Sequence, residues 1–151
     1  MHRILKYPPL VSLFFILLMI LISLFIPFLS FQISILKWFA TGFFISSLLI
    51  VLLAALAFKR VQTTIDPTTP DKTSSLVVSG IYAYSRNPMY LGILGSLIGI
   101  SFLLSNLLSF LLLPLFIITM NRLFIEPEEK ALMSIFDQSF SEYKQKVRRW
   151  V

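Results

Sequence analysis

The chain has 151 residues, of which 57% are hydrophobic and only 13% charged, with a formal net charge of +6. A soluble domain carries about 25% charged residues, so this sequence has too little polar surface for water and belongs in a bilayer. With no cysteine and a single histidine, His2, it excludes disulfides, thiolate nucleophiles and His-cluster metal sites, and no metal site is expected.

The first apolar run has no charge between Lys6 and Lys37, and its 10–29 portion makes a helix of about 30 Å, enough to cross the hydrocarbon. His2, Arg3 and Lys6 ahead of it also suit a signal peptide. The run is too long for one, and Pro27 to Gln32 offers no small-residue cleavage pattern, so it reads as a mature span. A second span is expected over 38–58, with Trp38 at an interface and Lys59-Arg60 closing it. From Asn87 to Asn121 no charge occurs, and one helix of that length, about 52 Å, overshoots a bilayer. The polar pair Ser105-Asn106 divides it into spans over 88–104 and 107–124, a tight hairpin or, alternatively, a re-entrant pair. The 59–86 segment, with Pro67, Pro70 and many Thr, Asp and Ser, is a loop. Over 127–149, Leu132, Phe136, Phe140, Tyr143, Val147 and Trp150 recur every three or four residues between charges, the pattern of an amphipathic surface helix.

With four spans, Arg3, Lys6, Lys59, Arg60, Lys72, Arg86, Arg122 and every later Lys and Arg fall on one side, and Lys37 alone on the other. That asymmetry places both termini and the central loop in the cytoplasm. The same distribution argues for the bilayer rather than nucleic acid as the partner, because the basic residues flank apolar runs instead of forming one basic face. The expectation is an all-α polytopic membrane helical bundle. Residues 1–151 form a single domain of four transmembrane helices plus a C-terminal amphipathic cytoplasmic helix.

Three segments can carry chemistry. In Ser79 to Gly92, Asn87 suits a helix cap, Pro88 a first helical position and Arg86 a headgroup anchor. In Glu126-Pro127-Glu128-Glu129, the acids suit a helix dipole, with Pro127 at the helix start. Three carboxylates after a span are nonetheless more than a dipole needs, and call for a positive or hydroxyl-rich neighbour. The ladder Gly92, Gly95, Ser96 and Gly99 fits close helix packing, or the approach of a flat ligand to the backbone.

Together these segments resemble the isoprenylcysteine carboxyl methyltransferase family, which is related to the membrane phospholipid N-methyltransferases. Gly80, Tyr82, Arg86, Asn87, Pro88, Tyr90 and Gly92 match the first signature, G-x-Y-x-x-x-R-[HN]-P-x-Y-x-G. Glu128, Glu129, Leu132, Phe136, Phe140, Tyr143 and Val147 match the second, E-E-x-x-L-x-x-x-F-G-x-x-[YF]-x-x-Y-x-x-x-V. The resemblance covers about the last 90 residues. Asn87 stands where many members have His, and Asp137 replaces a Gly, so the bend after Phe136 must use a side chain that tolerates positive φ less well.

The resemblance implies transfer of a methyl group from S-adenosylmethionine to a lipophilic acceptor, a small molecule or a lipidated one, at the membrane. The site residues implied are Arg86, Glu129 and Tyr143 for catalysis. Val77, Gly80, Tyr82, Asn87, Pro88, Tyr90, Gly92, Glu128, Glu129 and Leu132 would bind the cofactor, with Arg148 helping Tyr143 close the site. Arg86 and Glu129 are read as surface residues whose truncation spares folding. A carboxylate acceptor is favoured, because an amine acceptor must lose a proton and no residue stands out as a base. The alternatives are a phospholipid amine N-methyltransferase, a non-catalytic multi-pass protein or small transporter, and a nicotinamide-dependent membrane reductase. The membrane is read as a bacterial inner membrane, or the endoplasmic reticulum in a eukaryote, with the active site facing the cytoplasm.

Overall fold

The computed structural model describes residues 7–31, 33–61 and 75–151, all helix and connecting turns. His2, Arg3, Lys6, Pro67, Pro70, Lys72 and most of the central loop lie outside the described residues.

Helix α1 (Pro8–Phe25) begins on prolines at its first positions, where a missing N–H costs nothing. It ends because Pro27 pushes Ile26 out of the helical region, to φ −125°, ψ 61°. This stops the helix short of the expected limit at 29, and Pro27–Leu29 form a 3₁₀ turn. Helix α2 (Leu36–Val61) runs 26 residues, so Lys59 and Arg60 lie in its last turn rather than in the loop. Helix α3 (Pro88–Leu104) and helix α4 (Leu107–Met120) are separated at the expected place, with Ser105 left-handed at φ 48° and Asn106 accepting from the Leu108 N–H.

Beyond α4 the chain does not break. A π-helical stretch, Asn121–Ile125, leads directly into helix α5 (Glu126–Lys146), where the Glu126 N–H reaches back to the Asn121 carbonyl. A proline inside an α-helix leaves a carbonyl unpaired and crowds it; a widened turn just before Pro127 relieves both faults. The expected separate start at 127 is thus replaced by one continuous helix over Leu107–Lys146. Helix α5 bends where Asp137 takes φ 38°, ψ −107°. It stops at Lys146, three residues before the expected end, because Val147 is extended.

Three helices, α1, α2 and the continuous Leu107–Lys146 helix, are long and apolar enough to cross a membrane, and α3 is a shorter apolar helix packed among them. The protein is an all-α integral membrane bundle. Its outward faces carry exposed Leu13, Phe14, Leu21, Leu48, Leu52 and Leu111, as lipid contact requires.

Helix α3 presents two different faces. Toward α2 it offers Gly92, Gly95 and Gly99, which meet Val51, Ser47 and the Ala40 carbonyl. Ala40, Ser47 and Ala54, the buried residues of α2, fall at intervals of seven and form the matching seam. Small residues let the two backbones approach, the usual source of helix affinity in lipid. Toward α1 and α4, α3 contributes Tyr90, Leu94 and Leu97 to a core with Val11, Phe15, Met19, Phe116 and Met120.

At the Lys37 end, Asn106 is wholly buried. Its amide donates to the Ile26 carbonyl at 3.0 Å and to Ser30 Oγ at 3.1 Å. The Phe31 N–H adds a bond to the Ser105 carbonyl at 2.8 Å. This clasp ties the end of α1 to the α3–α4 turn.

Candidate active site

At the opposite end, where Lys59, Arg60 and Arg122 lie, three stretches converge: the turn before α3, the first turn of α5, and the extended C-terminus. Gly80 opens that turn at φ 65°, with open space where a Cβ would stand, so conformation rather than crowding selects glycine there. A 3₁₀ turn over Gly80–Ala83 then buries Tyr82 against Ala54 and Val77, with its ring edge-on to Phe58.

Arg86 is the hub. Its side chain is only 10% exposed, and its Nη2 meets Glu129 Oε1 at 2.8 Å. Its Nη1 donates to the Val147 carbonyl at 2.7 Å and the Lys144 carbonyl at 3.1 Å, and its backbone N–H to the Arg148 carbonyl at 3.0 Å. Those carbonyls mark the C-terminal end of α5, where the helix dipole attracts a cation. Arg86 Nε is buried and has no partner among the described residues.

Arg149 approaches Glu129 from the other side, with Nη2 2.7 Å from Oε2 and Nε 3.2 Å from Oε1. It also lies 3.7 Å from Glu126. Burial pushes the Glu129 carboxyl up, but the hydrogen bonds from Arg149 and Arg86 outweigh it and hold the group below its ordinary range. The Arg149 guanidinium is held more firmly protonated by the hydrogen bonds it donates to Glu129.

Glu128 behaves in the opposite way. The Tyr90 hydroxyl donates to it. Burial of its carboxyl, opposed by that bond and assisted by the charge of Glu129, raises it to about 7. Two adjacent carboxylates therefore divide into one held ionised and one poised near neutrality, the separation that acid–base chemistry exploits. Tyr143 donates to the Tyr82 carbonyl at 2.6 Å, joining α5 to the 3₁₀ turn. Burial raises both phenols, so both stay protonated at neutral pH.

The structure thus brings Arg86, Glu129, Glu128, Tyr90, Tyr82 and Tyr143 together from the two signature segments. Val77 lines the apolar side of the cluster with Tyr82, and Leu132 packs with Phe140, Tyr143 and Val147. Pro88 is buried as the first residue of α3.

Several expectations change. Asn87 occupies the cap position of α3, yet its side chain makes no capping bond. Its Nδ2 donates to the Arg149 carbonyl at 2.8 Å, while Ser85 Oγ accepts the Asn87 N–H. Gly92 packs against α2 and does not face the cluster. Arg148 is exposed, and it is its neighbour Arg149 that bonds to Glu129. Arg86 and Glu129 are buried rather than superficial, so their truncation touches folding. The helical period over 127–149 hid Arg149, because continuing that period past Lys146 places it on the wrong face. The one available signal was the Arg148-Arg149 pair, a basic complement to the acids of Glu126 to Glu129 twenty residues earlier.

A family model for "Phospholipid methyltransferase" matches residues 35–139. The chain belongs to this family of membrane methyltransferases. It is similar to "Protein-S-isoprenylcysteine O-methyltransferase" of Schizosaccharomyces pombe, with 39% identity over 77 residues, 51% of this chain and 33% of that protein. The protein of the same description from Saccharomyces cerevisiae shares 43% identity over 75 residues, 48% of this chain and 30% of that one. An uncharacterised protein of Haemophilus influenzae is 41% identical over its entire length, 42% of this chain. The chain spans about a third of the length of the two curated methyltransferases it matches. No solved structure matches it.

Proposed function

We propose that the protein transfers a methyl group from S-adenosylmethionine to a lipophilic acceptor at the membrane surface, with a prenylcysteine-type carboxylate as the preferred acceptor. The observation that carries this reading is the buried Arg86–Glu129–Arg149 cluster, in which two sequence segments 43 residues apart meet at one end of the spans. The excess of basic residues at that end supports a cytoplasmic site.

The residues fit a sulfonium nucleotide. Glu128 and Glu129 can accept from ribose hydroxyls, and the face of Tyr82 or Tyr90 attracts a cation by about 0.5–2 kcal/mol. Arg86 Nε, which has no partner among the described residues, is a donor available to an acceptor. Bound there, the cofactor supplies a methyl carbon activated by positive sulfur. Transfer to an acceptor carboxylate would put the methyl on its oxygen and leave the electron pair of the C–S bond on sulfur. No proton moves. The chain's task is to align the partners and exclude water, which two apolar clusters assist, one with Val77 and Tyr82 and one with Leu132, Phe140 and Tyr143. Arg149 is 31% exposed, and its Nη1, which makes only a 3.7 Å contact with Glu126, can pair with an acceptor carboxylate while its other nitrogens stay on Glu129.

Glu128 gives specific support to a second reading. An ammonium acceptor must lose a proton before attack, and a carboxylate raised to about 7 can receive it. Phospholipid amine methylation then becomes chemically available to the same site.

Titration of detergent-purified protein with S-adenosylhomocysteine and with NADPH tests the class. Heat with the first alone is expected, and heat with NADPH alone would end the methyltransferase reading in favour of a reductase. Incubation with labelled S-adenosylmethionine and either N-acetyl-S-farnesylcysteine or phosphatidylethanolamine then separates the two acceptors, with label expected in the first.

A further inference from the structure

Beyond Lys146 the backbone leaves the helix and lies against the turn before α3. Three successive carbonyls of this segment are occupied there. Arg86 takes those of Val147 and Arg148 at 2.7 and 3.0 Å, and Asn87 Nδ2 takes that of Arg149 at 2.8 Å. These bonds fix the course of the backbone. They leave open where the long Arg149 side chain goes, because its rotamer freedom must still be overcome.

The next residue supplies a second anchor. The Trp150 ring packs against the core that includes Tyr90, Phe124 and Ile125, and its Nε1 donates to Asn121 Oδ1 at 3.1 Å. Asn121 is the first residue of the π turn, and its carbonyl accepts from the Glu126 N–H.

The π turn gives this anchor its direction. Asn121 and Glu129 stand eight residues apart, which in a plain α-helix sets them about 80° apart around the axis. A π turn takes up one extra residue, so the pair stands in effect about seven residues apart, on one face. Asn121 thereby lines up with Glu126 and Glu129, the two carboxylates that Arg149 meets at 3.7 and 2.7 Å. Two neighbouring residues, Arg149 and Trp150, so grip a single face of one helix.

We propose that Trp150, through its bond to Asn121, is a positioning residue for Arg149, keeping the guanidinium on Glu129 with Nη1 left for the acceptor carboxylate. The proposal rests on the reading of Arg149 as the group that meets the acceptor. It also gives the π turn a role beyond relieving Pro127, since without the extra residue Asn121 turns off the shared face.

Two variants reach the bond from opposite sides. Trp150→Phe keeps an aromatic ring and removes the N–H, and Asn121→Ala removes the acceptor while sparing the ring. Each is made in the full chain in nanodiscs, alone and together with Arg149→Ala. In either variant KM for N-acetyl-S-farnesylcysteine should rise about fivefold or more, the scale of a lost charge-assisted hydrogen bond. Its carboxamide, with the same tail and no charge, should inhibit with a constant within about twofold of wild type. With Arg149→Ala already present, neither change should raise KM further. Equal shifts for acid and amide, or the same rise with and without Arg149, would overturn the proposal.

A second readout needs no turnover. Glu129 is faced by Arg86 from the turn before α3, by Arg149, and by Glu126 and Glu128 of its own helix. Against burial, which raises it, the hydrogen bonds from Arg149 and Arg86 hold its carboxyl below the ordinary 4.5. The linked stability is present above pH 4.5 and is lost as pH falls further. Loosening Arg149 lets the carboxyl rise, so the fall in thermal midpoint from pH 7 to pH 3 should be smaller in Trp150→Phe than in wild type. It should not change when Trp150→Phe is added to Arg149→Ala. A midpoint lowered equally at both pH values marks packing alone and overturns the proposal. If wild type methylates no carboxylate acceptor, the acceptor reading fails, and the pH comparison still decides whether Trp150 positions Arg149.

Discussion

The two ends of the bundle are fastened by different chemistry. At the Lys37 end a buried amide, Asn106, satisfies two backbone segments with neutral hydrogen bonds. At the basic end the fastening is ionic, with Glu129 gripped by two guanidiniums and Glu128 bonded to Tyr90. A neutral clasp does not respond to pH and asks little of its surroundings. A buried ion cluster must overcome desolvation before it stabilises anything, and apolar residues would serve stability as well. The difference teaches that the Asn106 end is fastened independently of pH, whereas the Glu129 end concentrates buried charge between α3, α5 and the extended C-terminus.

The comparison is broken most sharply by removing Glu129. Glu129→Ala leaves Arg86 buried without its partner, so a loss of about 3–5 kcal/mol is expected, read as a collapse of the thermal midpoint in detergent at pH 7. Glu129→Gln refines this. Because the native carboxyl is held below its ordinary value of 4.5, wild type keeps that stability above pH 4.5 and loses it as pH falls further. The Gln protein should lack this acid-side loss.

Glu128 has the opposite sign. Its folded value is raised to about 7 from 4.5, so the associated stability is present below pH 4.5 and is lost as pH rises through 7. Glu128→Gln, a mimic of the neutral acid, should gain on the order of 2 kcal/mol over wild type at pH 8 and nothing at pH 4. Parallel midpoints at both pH values would remove the distinction between the two carboxylates. At the other end, Asn106→Ala should cost about 1–3 kcal/mol by leaving buried backbone groups unpaired, with a loss that is the same at pH 5 and pH 8. A pH-dependent loss there would erase the contrast. The smallest effect belongs to Asp137→Gly, expected to gain about 1 kcal/mol by relieving positive φ in a side-chain-bearing residue. A lower midpoint would show that the Asp137 side chain contributes more than its backbone costs.

Much of this was legible in the sequence because lipid imposes simple rules. The apolar runs had to be helices, and Ser105-Asn106 had to be the break. The requirement for positive φ at Asp137 was also readable, since the family pattern places glycine there. Contacts between distant segments were not. Asn87 looked like a cap because caps are local, while its real partner is a carbonyl 62 residues away. Arg149 was missed because the helical period was carried past Lys146, where the backbone is already extended. The burial of Arg86 and Glu129 escaped for the same reason: the sequence shows charge beside a membrane, but not what folds over it.

The unbroken passage from α4 through the π turn into α5 makes a lever that runs from Leu107 to the bend at Asp137. Glu128 and Glu129 ride on its outer arm, while its inner arm is immersed in hydrocarbon. A change in lipid thickness that tilts the immersed arm must swing the carboxylates with it. Catalysis measured in short-chain and long-chain bilayers should therefore differ more than folding does, and equal rates in both would show the joint at Asn121–Ile125 to be slack.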